Sequence, residues 1–298
     1  MSNGPTISRR TALIGTAAAA GVLATGGALT RERTPRFPTA FIPHGGGPWP
    51  FVDMGIPQSE LEPLATYLRS LPDLPPEPPR ALLVVSAHWE EPVPTVMTSE
   101  APDMLFDYYG FPDAAYELQW PAPGSPVLAE RVRELLGQNG FETAEDPTRG
   151  YDHGAFVPLM LPYPEGELPV VQLSLKAGLD PVEHLAMGRA LAPLRDEGVF
   201  IIGSGMSFHN MRALRNPALA ASGPTFDRWL QQTITASPAE RADRLANWAS
   251  APAARAAHPR EEHLLPLMLV AGAAMDDVGV VGWSGHSMGW KLSAAHFG

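Results

Sequence analysis

Four short runs of the chain, residues 39–42, 81–86, 169–174 and 199–203, are apolar at nearly every position. They are partly β-branched and show little alternation, the pattern of strands buried on both faces. Between and after them, apolar positions recur at helical spacing over residues 58–69, 125–138, 181–195, 225–235 and 260–273. Strands alternating with helices predict a single α/β domain with a largely parallel central sheet flanked by helices. Two helix starts carry their own signal. Ser125-Pro126 and Asp180-Pro181 each place a capping side chain before a proline at the first helical position.

The first 36 residues follow another logic. Ser8-Arg9-Arg10 precedes Thr11-Ala12-Leu13-Ile14 and a charge-free stretch from Gly15 to Thr30, closed by Arg31. A twin arginine before a mildly apolar run resembles a Tat export signal. The stretch is rich in Ala and Gly and barely long enough to span a bilayer, which weighs against a permanent anchor. Residues 1–36 are therefore read as signal and linker, and 37–298 as the folded domain that carries any function. The expected location is the periplasm, with no stable membrane association after export; the cytoplasm is the alternative.

Composition narrows the chemistry. The 298 residues are 45% hydrophobic and 18% charged, enough for one large domain with a full core. A formal net charge of -11 argues against nucleic acid as a partner, since phosphate binding needs clustered Lys and Arg. The 33 prolines and 28 glycines form no repeat and read as turns. Cysteine is absent, so any bound metal must rest on His, Asp or Glu.

The histidines stand where such a site would form. His44 follows the first predicted strand, His88 the second and His209 the fourth. Ligands of open α/β sheets bind beyond the carboxyl ends of strands, so these three can share one crevice. His153, in Gly150-Tyr151-Asp152-His153-Gly154, and His263, in Glu261-Glu262-His263-Leu264, also lie in dense local contexts. A lone histidine beside a strand is more often a hydrogen-bonded loop residue. Five in such contexts ask for a common cause, because burying imidazoles together is costly unless a metal or hydrogen bonds satisfy them. His184, His286 and His296 read as structural or surface residues, and His258 as either a helix-start residue or a site residue. Glu262 and His263 compete for one role, since on a helix they point roughly 100° apart.

Taken in order, these segments resemble the class III extradiol ring-cleavage dioxygenases, in the DOPA 4,5-dioxygenase branch of the protocatechuate 4,5-dioxygenase catalytic-subunit superfamily. The matching stretches include His44-Gly45-Gly46-Gly47-Pro48, Ser86-Ala87-His88-Trp89, Asp107-Tyr108-Tyr109-Gly110-Phe111-Pro112 and Trp120-Pro121-Ala122-Pro123-Gly124-Ser125-Pro126. Tyr151-Asp152-His153-Gly154, Val171-Gln172-Leu173-Ser174, Gly203-Ser204-Gly205, His209-Asn210 and Glu262-His263 complete the series. The resemblance implies an α/β fold holding a mononuclear Fe(II), with Zn(II) able to occupy the same imidazoles. It implies a small catecholic substrate and O₂ as partners. Carried over residue by residue, the metal ligands are His44, His88 and His263. His209 is either a further ligand or an acid/base, and His153 a catalytic histidine facing substrate. Related enzymes outside the branch use a glutamate as third ligand, which keeps Glu262 in play. The chain departs from the pattern in Gly46-Gly47, where many relatives have Ser before the proline, and in its export signal.

Among aromatic and basic residues, Trp49, Tyr108, Tyr109 and Trp120 are candidates for the pocket wall, with core packing the default for each. Arg149 and Arg212 are candidates for a substrate carboxylate, with a surface salt bridge the default. Two rivals remain on the same histidines: a zinc hydrolase, and a non-catalytic periplasmic metal-binding protein. The hydrolase reading lacks both a His-Glu-x-x-His motif and a Gly-x-Ser-x-Gly elbow.

Overall fold

The structure, a computed structural model, describes Met1 and residues 36–298; the twin-arginine segment lies outside the described residues. Eight strands among the described residues build one sheet. They are β1 (Thr39–Pro43), β2 (Ala81–Glu91), β3 (Thr95–Met97), β4 (Ala144–Asp146), β5 (Val170–Lys176), β6 (Val199–Gly205), β7 (Gly279–Ser287) and β8 (Trp290–Phe297), in the order β4-β3-β5-β2-β6-β1-β8-β7. The four apolar runs of the sequence are the four central strands, and they are mutually parallel.

The flanks differ from expectation. β8 runs antiparallel to β1 and to β7, and β3 runs antiparallel to β5 while lying parallel to β4. The sheet is therefore mixed rather than largely parallel. The outer strands escape pattern reading for simple reasons: β3 and β4 have three residues each, and β7 alternates exposed with half-buried positions and is rich in Gly and Ser. β7 and β8 form a hairpin whose two turn residues, Met288 and Gly289, both have positive φ (52° and 75°). That backbone matches the right-handed twist of the flanking strands.

Each central strand feeds two cores by its two-residue period. Leu83, Val85 and Ile201 face one side of the sheet, and Leu82, Val84, Phe200 and Ile202 the other. Helix α1 (Gln58–Arg69) covers the second side with Leu61, Leu64 and Leu68. Helix α2 (Pro126–Gln138) packs on the first side, and α3 (His153–Leu159) on the second. Helix α4 (Pro181–Leu191), the helix Leu265–Ala273 and the helix Gly223–Ile234 also pack on the first side.

The capping signals hold. Ser125 accepts a hydrogen bond from Leu128 N–H, and Asp180 from Val182 and Glu183 N–H. A third cap, Asp152 on Ala155 N–H, starts α3, which the pattern does not predict. The 181–195 pattern stops being α-helical at Leu191, because Pro193 lacks the N–H to continue it, and ends in a tighter turn closed by Gly198 at φ 82°. The 260–273 pattern yields a helix only from Leu265, since Pro266 fits the first turn and not the interior. Glu262 and His263 thus lie in the turn before that helix, and the helical angle between them does not apply.

Candidate metal centre and active site

β2, β6 and β1 are neighbours in the sheet, and their carboxyl ends form the floor of the site. His44 is the first residue beyond β1, held by its N–H on Gly205 O at 3.1 Å. His88 lies inside β2, not past its end, on the stretch between Val85 and Glu90 where the register to β5 shifts. A bulge of this kind re-aims side chains at a sheet end. His263 joins them from the turn before the Leu265–Ala273 helix, its carbonyl accepting from Met206 N–H at 2.9 Å.

These three rings converge through one kind of atom. His88 Nε2 lies 3.1 Å from His44 Nε2 and 3.3 Å from His263 Nε2. Each opposite nitrogen, Nδ1, faces an oxygen. His44 Nδ1 is 3.1 Å from Ser204 Oγ, whose own proton goes to Gly154 O, so the imidazole is the donor. His263 Nδ1 donates to Glu262 Oε1 at 2.9 Å, and His88 Nδ1 faces Asp107 Oδ2 at 3.5 Å. With Nδ1 protonated, all three Nε2 atoms bring bare lone pairs to a common point. Such an arrangement repels itself unless a cation occupies the centre, and oxygen partners on Nδ1 are the usual way metal-binding histidines are oriented.

The spacing suits an ion. Metal–imidazole bonds of about 2.0–2.1 Å at tetrahedral or octahedral angles set neighbouring nitrogens roughly 2.9–3.4 Å apart. Two further groupings, His88–Asp107–His153 and His209–Glu262–His263, also bring donor atoms close. Both consist of imidazoles facing carboxylates, so hydrogen bonds already account for them.

Burial keeps the trio neutral. His44 and His263 are driven well below the ordinary histidine range by burial first, then by neighbouring imidazoles, with the bond to Glu262 partly opposing the shift at His263. His88 is lowered to about 4, again chiefly by burial. For Glu262, burial pulls upward but the hydrogen bonds from His209 and His263 outweigh it, and its carboxyl is held well below the usual range. Glu262 is thus a carboxylate that holds His263 from behind.

A cleft of about 470 Å³ opens above the trio. His153 and His209 both line it. His153 starts α3 and gives both its backbone N–H (2.9 Å) and Nδ1–H (2.7 Å) to Asp107 Oδ1, leaving its Nε2 without a proton. His209 stacks on His263, with ring centroids 3.4 Å apart and planes 15° from parallel. A ring nitrogen's lone pair lies in the ring plane. The lone pairs of the two rings are therefore directed along nearly parallel planes and do not converge on one point.

Residues 38–294 match the family described as the catalytic LigB subunit of aromatic ring-opening dioxygenase. The chain belongs to the LigB family. A Beta vulgaris protein named 4,5-DOPA dioxygenase extradiol is 44% identical over 199 residues, covering 66% of this chain and 74% of that protein. An Escherichia coli K12 protein of the same name is 35% identical over 243 residues, covering 80% and 85%. Dioxygenase tasH of Hapsidospora irregularis is 36% identical over 279 residues, covering 88% and 85%. The crystal structure of an uncharacterized Escherichia coli K12 protein superposes with a TM-score of 0.70 at 29% identity, over 88% of this chain and all of that one. This is a LigB-family enzyme of the DOPA-dioxygenase type, an extradiol ring-opening oxidoreductase, and the family is metal-dependent.

The LigB site draws together all five histidines singled out in the sequence: His44, His88, His153, His209 and His263 line the cleft. His258 does not. It is fully buried with Nε2 on Ser207 O at 3.1 Å. His184 is likewise internal, bonded to Asp180 O and Lys176 N–H. Of the four aromatic candidates, Tyr108 and Tyr109 line the cleft. Trp49 and Trp120 are core residues whose indole N–H groups serve His44 O and Tyr163 O. Arg149 is spent on Asp152 at 2.9 Å and stacks over Trp89, while Arg212 lines a shallow side pocket next to His209. Sequence reasoning gave no role to Asp107 or Ser204, although both lie in quoted motifs. It missed Met288 and Trp290 altogether, because the hairpin that carries them has no apolar run to announce it.

Proposed function

We propose that this LigB-family enzyme is an Fe(II)-dependent extradiol dioxygenase that opens a catechol-type ring, DOPA-like or another small diol, to a semialdehyde. The observation that carries the reading is the convergence of three bare Nε2 atoms at 3.1 and 3.3 Å beneath an apolar cleft. His44, His88 and His263 are the ligands in this account. Bound there, Fe(II) supplies vacant positions for the diol oxygens and O₂ and passes electrons between them, which Zn(II) cannot do. No external reductant enters. The diol provides the electrons that reduce O₂, one ring C–C bond breaks, and both oxygen atoms end in the product.

The protein's own groups handle protons and placement. His153, whose Nδ1 is taken up by Asp107, turns its Nε2 away from that carboxylate and is the base for a diol hydroxyl. His209 is assigned to proton transfer in preference to ligation, because its ring is parallel to that of His263 and its lone pair cannot meet the same ion. Tyr108, Phe111, Met288 and Trp290 give the diol ring an apolar wall and keep bulk water from it.

Anaerobic reconstitution with Fe(II), followed by DOPA, catechol, protocatechuate or gallate under air, tests this. Oxygen uptake matching diol consumption and a yellow semialdehyde are expected. Metal-replete protein that consumes no O₂ with any diol defeats the proposal. Activity with Zn(II) and no O₂ uptake would favour hydrolysis. The twin-arginine segment supports export to the periplasm, which cell fractionation with a lysine-for-arginine pair at Arg9 and Arg10 would check.

A further inference from the structure

The centre is held together by a residue with no assigned role. Asp107 uses its two oxygens on two different histidines. Oδ1 accepts the backbone N–H and the Nδ1–H of His153, at 2.9 and 2.7 Å. Oδ2 faces His88 Nδ1 at 3.5 Å. The two rings lie 3.9 Å apart between centroids, so one carboxylate spans both. The contact with His153 is a hydrogen bond, and that with His88 a longer approach of a carboxylate oxygen to a ring nitrogen. The carboxylate is itself anchored. Asp107 N–H bonds Leu105 O at 3.0 Å, Leu105 N–H bonds Tyr151 O at 2.8 Å, and Tyr151 N–H bonds Asp103 O at 2.9 Å. The 103–107 segment is thereby laced to the chain two residues before His153.

We infer that Asp107 is a positioning residue that fixes the tautomers of His88 and His153 together, aiming one bare Nε2 at the metal position and the other at the diol. The inference rests on the metal reading above. A neutral imidazole carries one proton, and the nitrogen that keeps it is the one offered an acceptor. By placing a carboxylate oxygen before each Nδ1, one side chain biases the ligand and the base toward the correct tautomer at once. Tyr108, Tyr109 and Phe111 of the cleft wall follow directly after Asp107, so substrate contacts and imidazole orientation share a support.

Asp107→Asn tests this at constant size. The amide has one oxygen, and His153 offers it two N–H donors, so the oxygen stays with His153 and the NH₂ turns to His88. His88 then accepts at Nδ1 and carries its proton on Nε2, where the metal must bind. Anaerobic calorimetry should show Fe(II) affinity falling about 10- to 100-fold, the range for loss of a histidine's outer partner. Nitrogen NMR of the metal-free variant at mildly alkaline pH should show His88 moved to the Nε2–H form and His153 unchanged. Unaltered affinity with unaltered tautomers overturns the inference. Should Asp107→Asn fail to fold, the wild-type spectrum decides alone: both rings must carry Nδ1–H, and Nε2–H on either one is fatal. The outcomes separate from those of the dioxygenase reading. Protein that binds Fe(II) in an Asp107-dependent way yet turns over no diol would sink that reading and leave this one standing.

Discussion

Three imidazoles whose Nδ1 atoms each face an oxygen turn their Nε2 lone pairs toward one another. That is why single residues matter so much here. His88 is the shared member, within 3.3 Å of both other Nε2 atoms, so His88→Ala should leave protein that retains no metal after dialysis and shows no turnover. Full metal content and activity would remove it from the ligand set. Ser204→Ala is a subtler test. It deletes the acceptor on His44 Nδ1 and should weaken metal binding about tenfold with little change in fold, read from metal competition against a chelator. The sequence made the five histidines legible because each stands in a distinctive local context. It did not reveal the oxygens behind them. Ser204 and Asp107 look like ordinary loop residues until the fold brings them within reach of a ring, and nothing in their spacing encodes that approach.

At the scale of elements, the site depends on how closely the covering helices approach. Gly188 of α4 lies against the backbone of Leu269, and Gly272 against Leu185 O, so a methyl group at either would run into main-chain atoms. Gly188→Ala should therefore destabilise the protein by about 1–3 kcal/mol through overpacking, despite its gain in helix propensity. A thermal melt unchanged or raised would show that the helices can part freely. The four central strands were readable as uninterrupted apolar runs, and the α2 and α4 caps as Ser-Pro and Asp-Pro pairs. The mixed edges were not readable. A three-residue strand carries too few positions for a period, and β7 is held by pairing with β8 more than by a buried face. The last helix is shorter than its pattern, because Pro266 fits the first turn and the polar residues 260–263 before it form a turn.

For the molecule as a whole, burying neutral histidines ties folding to pH. His258 is fully buried, and burial lowers its pKa from 6.5 to about 3; His184 is shifted down for the same reason. The unfolded chain therefore binds more protons than the folded one below about 6.5. Stability is complete above that value and is lost as pH falls, by about 1.4 kcal/mol per pH unit for each such group until its folded pKa is reached. Urea melts of the metal-free protein should show midpoints falling from about pH 7 to about pH 5, and a flat series would contradict the burial argument. The most direct test of the central claim is X-ray absorption of protein loaded anaerobically with Fe(II), before and after a diol is added. One ion per chain held by three imidazole nitrogens is expected, with solvent oxygens giving way to diol oxygens. An ion with fewer than three imidazoles, or one whose surroundings ignore the diol, would contradict it.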